Sequence, residues 1–490
     1  MTVEVECRAA AAAAVEDVKA AAVEEVKSGK EEIKPKVVEK SSSYREESNF
    51  LSDLRDHEKK ALNELKTKVE AAILGNSIFD KKESPKKAAA AEEKPSEETC
   101  EKKEECEKPA EVCEEEAEKP EPVEKCEEPE AEKPVPVEKC EEPEAEAIDE
   151  DISIWGVPLL PSKGDDSTNV VLLKFLRARE FRVNEAFEML RKTLQWRKDV
   201  RVDALLEEEF EPELGGAAYM SGVDGEGHPI CYNIFGVVDE KTVATEEKRE
   251  RFLRWRVQLM EKGVQKLDFK AGGVSSLLQI NDLKNSPGAS KKEVRTAVDK
   301  AVAVLQDNYP EFVAKNIFIN VPFWYYAFHS LMSPFLTQRT RSKLVFARPS
   351  KVTETLLKYI PIQEIPVQYG GMKRENDFEF SNADGEATEV VIKAGATEAI
   401  EIPTPEAGTT FIWDVTVLGW EVSYTEEFVP ADESSYTMIV HKCKKMGSDE
   451  EAVRNTFKNN EAGKIVLTVH NSSGKKKRLF YRYKIKKACF

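Results

Sequence analysis

A cluster of cationic side chains follows the most apolar stretch of this 490-residue chain. Arg339, Arg341 and Lys343 lie close together in sequence, and Thr340 adds a hydroxyl group between them. Fixed cations and a hydroxyl donor are the groups that hold phosphate oxygens. The preceding stretch, Phe323–Leu336, is apolar on nearly every side, which a helix of a water-soluble domain rarely is. The combination predicts an apolar lid beside a site for an anionic head group.

Two short runs of β-branched and aromatic residues, Ile317–Val321 and Leu344–Ala347, flank the apolar stretch. Runs of this kind predict buried parallel strands. The helix between them would carry an apolar stripe at helical spacing. Its members are Trp324, Phe328, Leu331 and Phe335. This stripe either belongs to a packed core or covers an apolar site.

The charge of the chain is unevenly distributed. Residues 1–150 hold 44 acidic and 25 basic residues, which accounts for the formal net charge of −19, and residues 151–490 hold 48 of each. Residues 81–150 are rich in proline and contain a repeat, AEKPEPVEKCEEPE followed by AEKPVPVEKCEEPE. This composition predicts a largely disordered acidic region, with one amphipathic helix near residues 48–78. The region would act as a solvated spacer or as a brake on membrane docking through like-charge repulsion.

Several functional classes find no support in the sequence. No apolar run approaches the ~20 residues of a membrane-spanning helix. The nine cysteines form no CxxC pair, which indicates reduced thiols in a cytoplasmic protein. The sequence contains no GxSxG, HExxH, P-loop or GxGxxG motif, so neither an enzyme nor a metal site is expected. The acidic first region argues against nucleic acid as a partner.

Hydrophobic patterns divide the rest of the chain into three parts. Residues 151–210 have helical periodicity, residues 211–376 alternate helices with strands, and residues 377–490 contain short strands. These patterns predict a helical lobe, an α/β domain with a mainly parallel sheet, and a β-sandwich. Asn184 is expected to cap a helix, and the turn Asn471–Gly474 to join the last two strands as a hairpin.

Five short blocks, in this order, resemble the CRAL-TRIO lipid-transfer domain. They are FLRAREF at 175–181, LQWRKD at 194–199, DNYPE at 307–311, INVPF at 319–323 and IPVQYGG at 365–371. The last part of the chain resembles a GOLD domain. An acidic region, a CRAL-TRIO domain and a GOLD domain in this order resemble the patellin family of plants. The resemblance covers about residues 150–490, roughly two-thirds of the chain.

The resemblance implies an apolar pocket that is closed by a helical gate, with a phosphoinositide head group near its rim. A bound phospholipid, above all a phosphoinositide, is therefore expected in place of a cofactor. The implied head-group residues are Arg179, Glu311, Thr340 and Lys343. The implied pocket and gate residues are Tyr232, Ile234, Phe318, Phe323, Trp324, Phe328, Leu331 and Phe335. Alternatively, Arg179 and Glu311 form a structural ion pair, and the aromatic residues are ordinary core.

The chain also departs from the prototype of this family, the yeast secretory phosphatidylinositol-transfer protein. Glu180 follows Arg179 where the prototype has a second cation, which makes the expected head-group site less positive. Leu277 and Gln279 align with the small hydroxyl residues that serve phosphatidylcholine in the prototype. The identity of a second lipid ligand therefore stays open.

The C-terminal residues after His470 include no acid. Their cations predict a basic patch for an anionic membrane surface, or a solvated strand edge that prevents aggregation. The patch comprises Lys475, Lys476, Lys477, Arg478, Arg482, Lys484 and Lys486. The resemblance implies a peripheral phosphoinositide-binding carrier in membrane trafficking, at the plasma membrane and at the cell plate during cytokinesis. The alternative is an adaptor that recruits trafficking proteins through its GOLD-like domain or acidic region, with a pocket that is structural or sensory only.

Overall fold

The computed structural model describes residues 46–79, 151–164, 166–286, 291–322, 338–381 and 384–486, and for residues 338–340 the backbone alone. Within these ranges a helical lobe, an α/β domain and a β-sandwich follow one another, which confirms the predicted order. The acidic repeat, expected to be disordered, lies outside the described residues.

The helical lobe contains the amphipathic helix that the sequence predicts near residues 48–78. The apolar stripe of this helix includes Leu62, Leu65, Val69 and Ile73. It is buried against the next two helices of the lobe, Asp166–Ala178 and Val183–Val200. The helix therefore packs into the lobe, although the sequence assigns it to the acidic region. The elements of the lobe are the helices α1 (Asp56–Leu74), α2 (Asp166–Ala178) and α3 (Val183–Val200), the strands β1 (Ser153–Ile154) and β2 (Val157–Pro158), and the 3₁₀ helices Leu51–Asp53 and Val202–Glu207.

The predicted cap of helix α3 is wrong. The helix begins at Val183, and Arg182 occupies the N-cap position without a side-chain cap. The side-chain oxygen of Asn184 instead accepts a hydrogen bond from Lys68 Nζ at 2.5 Å. The side chain that the local sequence assigns to capping therefore forms a long-range contact with α1 instead.

The α/β domain is built on a five-stranded sheet with the order β3-β4-β5-β6-β7. Strand β3 is antiparallel to β4 and the other neighbours are parallel, as predicted. The strands are β3 (Ala218–Val223), β4 (Pro229–Ile234), β5 (Leu277–Asp282), β6 (Val313–Ile319) and β7 (Leu344–Phe346). The helices are α4 (Pro212–Ala217), α5 (Glu246–Val264), α6 (Lys292–Asn308), α7 (Gln338–Lys343) and α8 (Val352–Leu356).

The two faces of this sheet differ because neighbouring side chains of a strand point to opposite sides. On one face Leu278, Ile280, Ile317 and Ile319 are fully buried with the segment that includes α8. The other face is directed toward helices α5 and α6. It carries Asn233, Gln279, Asn281, Asn316, Phe318 and Leu344. Amides on this face cannot form the apolar contacts that fill the first face.

The C-terminal part is a sandwich of two four-stranded antiparallel sheets, β13-β10-β15-β8 and β12-β11-β14-β9. Its core contains Trp413, Trp420, Tyr424 and Phe428. The strands are β8 (Thr388–Ile392), β9 (Thr397–Thr404), β10 (Thr410–Val417), β11 (Ser423–Pro430), β12 (Met438–Lys445), β13 (Val453–Lys458), β14 (Gly463–His470) and β15 (Lys477–Lys486). The sequence predicts a sandwich but misses β8, β9 and β13.

The turn after β14 does not form the predicted hairpin. Strand β14 pairs with β11 and β9, whereas β15 pairs with β10 and β8, so the turn connects the two sheets. The side-chain amide of Asn471 donates hydrogen bonds to the carbonyl oxygens of Lys393 at 3.0 Å and Lys475 at 2.8 Å. These bonds fix the crossing between the sheets.

No described helix is both long enough and apolar enough to cross a membrane. Among the described residues, no three histidine, cysteine or carboxylate side chains are grouped as metal ligands.

Candidate functional site

A cavity of about 330 Å³ lies between the central sheet and helices α5 and α6. Ile234 and Phe318, two of the predicted pocket residues, line it. Much of the remaining wall is apolar and comes from both helices and the sheet. Its apolar members include Phe235, Phe252, Trp255, Val298, Val302, Leu305 and Leu344. Such a wall can replace water around a hydrocarbon chain.

Tyr232 does not line this cavity, so its predicted place in the pocket is wrong. It lies on the opposite face of the sheet, fully buried, and stacks between Tyr219 and Tyr369 at centroid distances of 5.3 and 5.9 Å. The two-residue period of a strand explains the error, because Tyr232 and Asn233 must face opposite sides. The predicted gate residues Phe323, Trp324, Phe328, Leu331 and Phe335 lie outside the described residues.

Two of the four predicted head-group residues meet beside the cavity. Lys343 Nζ lies 2.8 Å from Glu311 Oε2 and 2.9 Å from the carbonyl oxygen of Val313. Glu311 precedes β6 and Lys343 precedes β7, and the parallel pairing of these strands brings their starting ends together. Glu311 has a left-handed backbone with φ 55°, which redirects the chain into the strand. Both residues line the cavity and are largely buried.

The other two predicted head-group residues are not shown beside this pair. The side chain of Thr340 lies outside the described residues. The guanidinium of Arg179 donates to the carbonyl oxygen of Ala178 at 3.2 Å, and no described contact joins it to Glu311. The role in head-group binding that the family resemblance implies for Arg179 and Thr340 therefore stays a prediction.

The sequence analysis missed a buried cation beside Glu311. Lys174 Nζ donates to the carbonyl oxygens of Glu311 at 2.9 Å and Ser275 at 2.7 Å, and lies 4.4 Å from the ring centroid of Phe312. Burial lowers the pKa of Lys174 to about 7. Lys174 and Arg177 share one face of α2 because they are three residues apart, whereas Arg179 points elsewhere. That spacing within an apolar helix is the signal that could have identified Lys174.

Partly buried ionic contacts attach the segment before α1 to the α/β domain. Glu46 accepts hydrogen bonds from Ser276 at 2.5 Å and from the ring of His228 at 3.2 Å, and the other ring nitrogen of His228 lies 2.9 Å from Asp224. Burial opposes the charged imidazolium, but the two carboxylates outweigh it and raise the pKa of His228 to about 9. Burial also opposes ionisation of Glu46, yet its hydrogen bonds lower its pKa to about 2.

A polar floor forms part of the cavity and was not predicted. We use this term for Asn233, Arg256, Gln279, Asn281 and Asn316. Asn233 Oδ1 accepts from Arg256 Nη2 at 2.9 Å, and Asn233 Nδ2 donates to Gln279 Oε1 at 2.8 Å and to Asn281 Oδ1 at 3.2 Å. The strand register explains the grouping, since β4 pairs Asn233 with Asn281, and β6 pairs Asn316 with Gln279. No sequence motif places Arg256, on a helix, above these strands.

The predicted basic patch is largely neutralised, which corrects the expectation of a free cationic face. Arg482, Lys484 and Lys486 do share one strand face, but each of them contacts carboxylates of the protein. Their carboxylate partners are Asp377 and Asp414 for Arg482, Asp384 for Lys484 and Glu379 for Lys486.

The other half of the predicted patch is mixed. Arg478 forms two hydrogen bonds with Glu389 at 2.5 and 2.8 Å, and Lys477 contacts Glu421 at 3.2 Å. Lys475 and Lys476 are exposed, and among the described residues neither has a carboxylate partner. Only these two of the seven cations are available to an anionic surface in the predicted manner.

Comparisons with known families define the class of the fold. Residues 123–192 match the CRAL/TRIO N-terminal domain, and residues 214–371 match the CRAL/TRIO domain. Residues 393–477 match the family described as the Patellin-1-like C-terminal GOLD domain. The protein is thus a CRAL-TRIO module followed by a GOLD domain, and the predicted fold class is confirmed.

Curated relatives identify the family within this class. The chain is 54% identical to Patellin-4 of Arabidopsis thaliana, over 95% of this chain and 94% of that protein. It is 49% identical to Patellin-3 of the same plant, over 69% of this chain and 70% of that protein. The chain belongs to the patellin family. It is also 33% identical to the phosphatidylinositol transfer protein sfh5 of Aspergillus oryzae, over 44% of this chain and 50% of that protein.

Proposed function

We propose that this protein binds a phospholipid in its cavity and carries it between membranes to which it attaches peripherally. The observation that supports this function best is the unfilled face of the central sheet, with its apolar wall and an ion pair beside it. Each buried methylene group contributes ~0.8 kcal/mol, so moving two acyl chains from an apolar environment into water costs on the order of 20 kcal/mol. A carrier must supply an apolar wall of this kind. No catalytic step is part of the proposal.

The head group that we propose is a phosphoinositide. A sequence relative is named as a phosphatidylinositol transfer protein, which supports this lipid class. Lys343 supplies a fixed cation beside the cavity, and Glu311 holds it in place or accepts hydrogen bonds from inositol hydroxyl groups. Arg179 and Thr340 would complete the site, and Phe323–Leu336 would be its gate. We place this activity in cytoplasmic membrane trafficking, at the plasma membrane and the cell plate.

The test combines lipid analysis with vesicle binding. The full-length protein is mixed with phosphatidylcholine vesicles, with and without a phosphoinositide, and sedimented. We expect phosphoinositide to increase binding, and Lys343→Ala to weaken it about fivefold or more because a cation next to the phosphate is lost. Lys351→Ala is the matched control, since this exposed lysine is paired with Glu354 away from the cavity lining. Equal binding by the wild type and the Lys343 variant, with no co-purified lipid, would refute the proposal.

An adaptor role is the second candidate, and one observation favours it. The edge strand β12 of the sandwich exposes Met438 and Ile439, and Tyr436 just before it is 92% exposed. Exposed edge strands with apolar side chains can pair with another chain. In that role trafficking proteins would bind the sandwich, and the cavity would serve structure or sensing. Recruitment that survives removal of all lipid but fails in Ile439→Asp would support this role.

A further inference from the structure

Arg256 lies in the middle of helix α5 and lines the cavity. Its contacts are the hydrogen bond to Asn233 Oδ1 at 2.9 Å and the face of the Trp255 ring, with a centroid distance of 5.6 Å. No carboxylate of the described residues lies within ion-pairing distance. Burial lowers the pKa of the Arg256 guanidinium, as expected for a cation removed from water without a counter-charge.

The charges along the cavity do not balance. Three of its described lining residues are charged: Arg256, Glu311 and Lys343. Glu311 and Lys343 offset each other across 2.8 Å, which leaves the charge of Arg256. A buried cation without a partner is costly, whereas a paired and hydrogen-bonded one is tolerated. An anionic group in the cavity would provide the missing partner.

The amides of the polar floor add hydrogen-bond donors at the same place. Asn233 holds the orientation of Gln279, because it donates to Gln279 Oε1. Asn316 Oδ1 likewise accepts from Asn281 at 3.5 Å. With their oxygens used as acceptors, Gln279 and Asn316 keep their side-chain NH₂ groups, for which the described residues provide no acceptor. One guanidinium and two amide donors therefore line the same hollow.

This cluster is separate from the Glu311–Lys343 pair. The strand register sets Asn233 beside Asn281, and Asn281 beside Phe318. Lys343 is bonded to Val313, five residues before Phe318 on β6, which is about 16 Å along a strand with a rise of about 3.3 Å per residue. Asn316 is the member of the cluster nearest to this pair, since it pairs with Leu344, the residue after Lys343. Arg256 and Lys343 thus mark two different levels of one cavity.

We propose that Arg256, Gln279 and Asn316 form a second anion site, which binds the phosphate or carboxylate of an acidic lipid with a small head group. The planar guanidinium suits two oxygens of such a group, and the amide donors bind the remaining oxygen. The acyl chain would lie along the apolar wall. This inference rests on the proposed lipid-binding function but concerns a different lipid class and a different end of the cavity.

The experiment measures which lipids the full-length protein takes from vesicles. Vesicles of phosphatidylcholine containing either phosphatidic acid or oleate are incubated with the protein, the protein is re-isolated, and bound lipids are quantified by mass spectrometry. The wild type should enrich the acidic lipid over phosphatidylcholine. Arg256→Gln should reduce this enrichment about tenfold or more, because charge-assisted hydrogen bonds are lost.

Asn233→Asp is the sharper variant, since it keeps Arg256 and the size of the side chain but gives the guanidinium a carboxylate of the protein. The amides of Gln279 and Asn281 can turn over and donate to this carboxylate in place of the bonds that Asn233 donates. It should abolish the enrichment as Arg256→Gln does. Arg251→Gln is the matched control on the same helix, because Arg251 pairs with Glu211 outside the cavity. Circular dichroism of each variant verifies folding, and the Asn233 variant decides the outcome if Arg256→Gln is unfolded.

The possible outcomes separate the two proposals. Enrichment that disappears in both floor variants but persists in Arg251→Gln supports the second site. Unchanged enrichment in Asn233→Asp overturns it, even if lipid binding itself is confirmed. Absence of any bound lipid overturns the carrier function as well. Inorganic phosphate alone is titrated by calorimetry, and tight binding that displaces the lipid would assign the site to a free anion and overturn its lipid part.

Discussion

Two groups of partly or fully buried arginines differ in what surrounds their charge. At the junction of the α/β domain and the sandwich, Arg454 and Arg482 both bind Asp414, which is fully buried. Arg454 also binds Asp377 with two bonds of 2.6 and 2.7 Å. Burial would raise the pKa of Asp377, but its hydrogen bonds to Arg454 lower it to about 2. In the cavity, Arg256 has an amide oxygen in place of such carboxylates.

The difference distinguishes a structural cation from one that is available to a ligand. The junction network is complete within the protein, and Arg482 joins it to the α/β domain by donating to the carbonyl oxygen of Met372 at 3.4 Å. Arg256 has no carboxylate partner among the described residues, and it lines a cavity. The burial of a cation therefore indicates a structural or a ligand-binding role only when the carboxylates around it are considered as well.

The largest expected effect is the loss of the shared carboxylate at the junction. Asp414→Asn should lower the free energy of unfolding by about 3–5 kcal/mol, because two arginines then lose a buried partner. Chemical denaturation measures this change. Glu389→Gln, which breaks an exposed pair with Arg478, should cost at most about 1 kcal/mol. Similar losses in both variants would contradict the structural role of the junction network.

Truncating a side chain should destabilise the protein more on the filled face of the central sheet than on the cavity face. Ile317→Ala, on the filled face, should cost about 3 kcal/mol, because it leaves a void in a packed core. Phe318→Ala, on the cavity face, should cost less than half as much, since Phe318 borders an existing cavity and its removal enlarges that space instead of opening a void in a filled core. Urea denaturation of both variants provides the comparison. A larger loss at Phe318 would show that the cavity face is in fact filled.

The site of His228 should make stability depend on pH. The pKa of His228 is raised from 6.5 to about 9, so its stabilising charge is complete below pH 6.5 and is lost as the pH rises through 9. Lys174, whose pKa is lowered, acts in the opposite direction over part of this range. The difference between wild type and His228→Gln isolates the histidine. This difference should shrink by on the order of 2 kcal/mol between pH 6 and pH 9.5. A difference that stays constant in thermal denaturation would contradict the ion pairs with Asp224 and Glu46.

The smallest effect should come from giving Arg256 the partner that the junction arginines already have. Asn233→Asp should raise the free energy of unfolding of the lipid-free protein by ~1 kcal/mol, because Arg256 gains a counter-charge while the amides of Gln279 and Asn281 turn over and donate to the new carboxylate. Denaturation of delipidated protein measures the gain. A clear loss of stability would mean that Arg256 already has its counter-charge.

Local patterns were sufficient for much of the fold. Alternating helices and strands predicted the parallel sheet, the spacing of Leu62, Leu65 and Val69 predicted helix α1, and the motif blocks predicted the family. Two edge strands at residues 388–404 were missed although Ile392, Ile400 and Ile402 are buried in the sandwich core. The polar residues that alternate with these isoleucines, and the prolines at 403 and 405, masked the two-residue period of the segment.

The sequence by itself determined the order of elements, the family and the position of Glu311 and Lys343 at the starts of neighbouring strands. Only the tertiary structure decided which charges are paired. Carboxylates far away in sequence neutralise Arg482 and Lys486. Arg256 lies among amides from three strands, and the described part of the chain brings no carboxylate to it. The physical reason is that an interaction between charges depends on distance and burial, and both are set by packing between segments that no local pattern joins.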